Sequence, residues 1–64
     1  MIVHLLEELE DGGRSTVVGV HDTADSAMAT LPDEEWQPTP EGWETVPAPR
    51  WCALYTVTSH EVRT

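Results

Sequence analysis

The sequence predicts an α+β fold in which a three-stranded antiparallel sheet carries one helix on one face, in the order ββαβ. Two segments, at about 14–21 and 51–58, have the β-branched content or the alternating pattern of strands. A capped, alanine-rich segment lies between them and is typical of a helix. With 64 residues, the chain has room for one small domain, which we assign to residues 1–64.

The first strand is predicted at about 1–10, where two patterns compete. Ile2 and the three leucines that follow it have the i, i+3, i+4, i+7 spacing of an amphipathic helix, which Gly12 could end. The segment has no N-terminal cap, however, and residues 11–14 are typical of a hairpin turn. The strand is therefore preferred and the helix is kept as the alternative. In the second strand, Gly19 indicates a bulge or a close backbone approach.

The helix is predicted at about 23–31. Asp22 or Thr23 can cap its first turn, and Pro32 disfavours helical geometry at Leu31. Its apolar residues recur with helical spacing, which predicts that one narrow face packs on the sheet. That face consists of Ala24, Ala27, Met28 and Leu31.

Residues 32–50 are predicted to be irregular, because they contain all five prolines of the chain and five acidic residues. A connection of this length is too long for a plain loop, so it should be packed down or functional. Trp36, Trp43 and Val46 are the expected anchors. The last strand follows at about 51–58, and the residues after it are expected to fray.

The charge balance is extreme for this length. The chain has twelve acidic residues, three arginines and no lysine, which gives a formal net charge of −9. This excess disfavours direct nucleic-acid binding and favours a protein partner with a basic surface. The sequence has no segment suited to a membrane, so a cytoplasmic location is expected. The absence of lysine resembles a GC-rich coding bias and points to a bacterium or its phage.

Residues 18–27, Val-Gly-Val-His-Asp-Thr-Ala-Asp-Ser-Ala, resemble short bacteriophage accessory proteins in which a glycine-containing strand runs into a capped, alanine-rich helix. The resemblance covers about half of the chain and implies the ββαβ order. It offers no functional residue to carry over. His21 departs from the large apolar or aromatic residue expected at its position.

Neither a metal or cofactor site nor a catalytic site is predicted. His4, His21, His60 and Cys52 lack the close paired spacing of zinc ligands. Cys52, the only cysteine, is interpreted as a small core residue rather than as a nucleophile. A domain this small can scarcely enclose a substrate pocket. We therefore expect a protein that acts by contact and not by catalysis.

Two acidic clusters and two tryptophans are the candidate partner-binding residues. The acidic clusters are either a solvated surface or an imitation of a phosphate array that occupies the basic site of a nucleic-acid-handling protein. The tryptophans either cover the sheet face away from the helix or form a partner or dimer surface. The candidates are Glu7, Glu8, Glu10, Asp11, Asp33, Glu34, Glu35, Trp36 and Trp43.

The functional prediction is a small acidic accessory protein that binds and modulates a basic protein. The alternative is a structural or assembly protein that acts as a homo-oligomer, with a homodimer as the simplest form. The two differ in whether the bare sheet face and edge meet another protein or a copy of the chain.

Overall fold

The computed structural model describes residues 1–10, 13–46 and 54–63. Its elements form one antiparallel sheet in the order β2-β1-β5-β4-β3, with a single helix. They are β1 (Ile2–Leu9), β2 (Ser15–His21), α1 (Ala24–Ala29), β3 (Trp36–Thr39), β4 (Gly42–Thr45) and β5 (Leu54–Glu61).

The predicted three-stranded sheet is wrong, because the segment expected to be irregular contains the β3–β4 hairpin. Pro38 lies in β3, an edge strand, where the missing N–H of proline costs no ladder hydrogen bond on the free side. Thr39 Oγ1 accepts hydrogen bonds from the backbone N–H of Glu41 at 3.3 Å and of Gly42 at 3.0 Å. Pro38 is therefore compatible with regular structure, because it lies in an edge strand.

The strand at the start of the chain is present, and β1 pairs with β2 on one side and β5 on the other. His4 lies opposite His21 and Glu7 lies opposite Val17. The register shifts between these pairs, which leaves Val18 as the extra residue of a bulge beside Gly19.

The helix begins and packs as its sequence predicts, although it is shorter. Thr23 is the N-cap, and its hydroxyl accepts a hydrogen bond from the Ser26 N–H at 3.0 Å. Its buried residue is Ala27, and the other members of the predicted face also pack against the core. The helix ends at Ala29, before Pro32, with Thr30 as its C-cap.

Among the described residues, the buried apolar core has one side chain from each of three elements. Leu6 of β1, Ala27 of α1 and Val57 of β5 are buried, and Leu6 lies opposite Val57 in the sheet. We call the side of the sheet that carries these residues and α1 the core face, and the other side the open face. The open face carries the alternate residues of β1, such as Leu5 and Glu7.

The final strand extends further than predicted. β5 continues to Glu61, which pairs with Ile2, so the expected fraying is wrong for residues 59–61. Residues 51–53 of the predicted last strand, including Trp51 and Cys52, lie outside the described residues.

No helix within the described residues is both long and apolar enough to cross a membrane.

Candidate functional site

The candidate site is a group of acidic and aromatic side chains at the end of the core face beyond α1. Strand register places Glu8 opposite Tyr55 and Trp36 opposite Thr45, while Thr45 bonds to the backbone of Tyr55. This row crosses four strands. We define the acidic–aromatic surface as Glu8, Glu34, Trp36, Trp43 and Tyr55.

Tyr55 connects the acidic residues of this surface. Its hydroxyl donates a hydrogen bond to Glu8 Oε2 at 2.8 Å. The bond to Glu8, partial burial, and then the negative charges of Glu8 and Glu34 raise the pKa of Tyr55 above its ordinary value. A carboxylate of β1 and one from the segment between α1 and β3 therefore act on one phenol.

The position of Tyr55 is set by a buried threonine. Thr45 is 2% exposed, and its Oγ1 accepts a hydrogen bond from the Tyr55 N–H at 3.0 Å. A buried hydroxyl is tolerated when it is satisfied in this way. This bond ties β4 to β5 where the pairing of their backbones ends, next to Glu44 and Thr56.

The two tryptophans lie on the core face. Trp43 is opposite Val57, and Trp36 is opposite the buried Thr45. Both are half-buried and pack against the core cluster that includes Ala27. The prediction that they cover the face away from the helix is therefore wrong. They extend the core beside α1 and keep part of each indole accessible.

The other acidic candidates are distributed more widely. Glu7 is half-buried on the open face, because alternate residues of a strand point to opposite sides. Glu10 is exposed just after β1, and Asp33 and Glu35 are exposed between α1 and β3. Asp11 lies outside the described residues. Of the acidic candidates, Glu8 bonds to Tyr55, the charge of Glu34 also acts on Tyr55, and Glu7 lies on the opposite side of the sheet.

The arrangement suits a cationic side chain. Carboxylates attract a guanidinium or ammonium group, and partly exposed indole and phenol rings add cation–π attraction. Tyr55 was not among the candidates predicted from sequence, and the signal that could have found it is its place in β5 opposite an acidic residue of β1.

Two of the three histidines are neighbours, which the sequence did not predict. His4 and His21 face each other on the core face, and their Nδ1 atoms lie 3.1 Å from the hydroxyls of Ser59 and Ser26, respectively. His60 lies on the open face, opposite Val3. Over residues 1–10, 13–46 and 54–63, no three His, Cys, Asp or Glu side chains are grouped as metal ligands.

Titration of Tyr55 tests the geometry of this surface, because it is the only tyrosine of the chain. We expect its phenolate absorbance to appear above the ordinary pKa of 10.0. Glu8→Gln should lower that pKa, since it removes a negative charge from the acceptor. The matched variant Glu7→Gln, on the other face, should leave it unchanged. An equal shift in both variants contradicts the contact.

The raised pKa of Tyr55 also makes the stability of the fold depend on pH. A phenol whose pKa is raised by folding contributes stability that is complete below the unfolded pKa. That contribution is lost as the pH rises through the higher folded pKa of Tyr55.

Comparison with protein-family models, with curated proteins and with solved structures gives no significant match. The resemblance of residues 18–27 to phage accessory proteins stays a prediction, and the ββαβ order that it implied is replaced by the five-stranded sheet.

Proposed function

We propose that this protein is a small acidic interaction module that binds a basic surface of another protein through its acidic–aromatic surface. The observation that carries the proposal is the hydrogen bond from Tyr55 to Glu8, to whose negative charge that of Glu34 adds. This local negative potential adjoins two half-buried tryptophans.

The net charge of −9 supports the same type of partner. Long-range attraction speeds the encounter with a basic protein, and contacts with the aromatic rings then determine where the basic side chain settles. Proteins that handle nucleic acids carry basic surfaces of this kind. Occupation of such a surface is the proposed route by which this module modulates its partner.

Binding of a short poly-arginine peptide tests the proposal, with the isosteric but uncharged poly-citrulline peptide as its control. We expect the arginine peptide to shift the indole N–H resonances of Trp36 and Trp43. Removal of two carboxylates with Glu8→Gln and Glu34→Gln should weaken binding about fivefold, the effect of two partly exposed ion pairs.

The open face supplies a matched control for charge. Glu7 and Glu44 both lie opposite Thr56 on that face, so Glu7→Gln with Glu44→Gln removes the same charge elsewhere. This pair should weaken binding by less than about twofold at moderate salt, where distant charges are screened. Equal weakening by both pairs would mean that only net charge matters, and the proposed site would be wrong.

A further inference from the structure

The sheet has two free edges with different chemistry. β3 forms one edge, has four residues and contains Pro38, so it is a poor template for another strand. β2 forms the other edge and has seven residues with no proline and no Asp, Glu, Lys or Arg. Among the described strands, β2 pairs only with β1. The β3 edge therefore disfavours pairing with another strand, and the β2 edge is available for it.

The β2 edge also exposes apolar side chains. Val17, Val18 and Val20 are 52%, 50% and 61% exposed, respectively. Natural edge strands are commonly protected from pairing by charged side chains, proline or a bulge, and of these β2 has only the bulge at Val18. Cross-strand contacts with an uncharged strand of similar composition would bury part of these three valines.

We propose that β2 pairs antiparallel with β2 of a second copy of this chain, forming a two-fold symmetric dimer with a continuous sheet. A basic segment would leave its charges beside valines with no carboxylate from β2 to face them. A second β2 matches this edge because it is equally uncharged and apolar. Because the β3 edge disfavours pairing with another strand, the assembly ends at two copies.

The bulge selects the register of this pairing. Val17 and Val20 both lie on the open face, because their partners in β1 are Glu7 and Leu5. Residues opposite each other in an antiparallel pair share a face. Val17 therefore faces Val20 of the second copy, and each interface contains this valine pair twice. Without the bulge, positions 17 and 20 would lie on opposite faces and the strand could not match itself in this way.

The same register aligns the core-face residues of the strand. Thr16 lies opposite Glu8 and His21 lies opposite His4, so both point to the core face. In the dimer, Thr16 faces His21 of the second copy. Residues 16, 17, 20 and 21 thus pair with their faces matched, on either side of the bulge.

The dimer and the proposed function respond to salt in opposite directions. Two chains of charge −9 repel each other, so added salt should strengthen dimerisation. The same salt should weaken binding of the arginine peptide at the acidic–aromatic surface. No residue of the acidic–aromatic surface belongs to β2, so either proposal can fail without the other.

Sedimentation equilibrium of the full chain, from micromolar to millimolar concentration, tests the dimer. We expect a monomer–dimer equilibrium whose dissociation constant falls between about 0.05 and 0.5 M NaCl. Val20→Glu should raise the dissociation constant at least tenfold, because each interface then contains two unpaired charges against valine. Val17→Glu should have the same effect.

Val62→Glu is the matched control, since Val62 is 42% exposed, follows β5 and takes the same added charge. It should change the dissociation constant by less than about threefold. A strict monomer at millimolar concentration, equal weakening by Val62→Glu, or assemblies larger than a dimer would each overturn the proposal. Circular dichroism of Val20→Glu verifies that the variant is folded, and its binding of the arginine peptide should be unchanged.

Discussion

Gly42→Ala should destabilise the domain by about 3 kcal/mol, which is a large part of the stability of a chain of this size. A Cβ atom at this position would collide with the backbone carbonyl oxygen of Val57, which belongs to the neighbouring strand and cannot rotate away. The φ angle of 155° is also one that side-chain-bearing residues rarely adopt. Relief of the clash requires β4 and β5 to separate.

Urea unfolding of both variants measures this effect, with Gly13→Ala as the control. Gly13 has a φ of 83°, but a Cβ atom added there would meet no other atom within 4 Å. Its substitution should therefore cost about 1 kcal/mol from backbone conformation alone. Similar midpoints for the two variants would contradict the close approach of Gly42 to β5.

Leu6→Ala should destabilise the domain by about 3 kcal/mol, within the usual range for truncation of a buried leucine. Leu6 is 4% exposed and contacts the small core between α1 and the sheet. With so few buried side chains, neighbouring elements cannot fill the space without a shift of the helix. The variant should be partly unfolded at ordinary growth temperatures, because the free energy of unfolding of domains of this size is only a few kcal/mol.

Ile2→Ala is the control for this truncation. Ile2 lies on the same strand and the same face as Leu6, but it is 59% exposed. Its replacement should cost less than about 1 kcal/mol. Equal denaturation midpoints for the two variants would contradict the position of the core.

The joint between β2 and α1 could be predicted because its signals are local. The capping hydroxyl of Thr23 lies three residues before the N–H that it binds, and Ala27 follows at the spacing of one helix face. The β3–β4 hairpin could not be predicted in this way. Pro38 is compatible with a strand only at a sheet edge, and the order of strands is a property of the whole fold.

The candidate site was predicted in part. Alternation within a strand already implies that Glu7 and Glu8 point to opposite faces. The contact of Glu8 with Tyr55 depends on the pairing of β1 with β5, which are separated by most of the chain. The position of Val17 and Val20 on one face depends on a one-residue bulge, which sequence patterns do not locate.

The order of strands has a consequence for how the chain folds. β1 and β5 are neighbours in the middle of the sheet, and the N–H of Val62 donates to the carbonyl of Met1 at 2.7 Å. The pairing of β1 with β5 therefore forms only after nearly the whole described chain has been synthesised. Closing so long a loop has a large entropic cost. Until then the inner edge of β1 has no partner strand, and only α1, which follows β2 directly, can cover the core face of the β1–β2 hairpin.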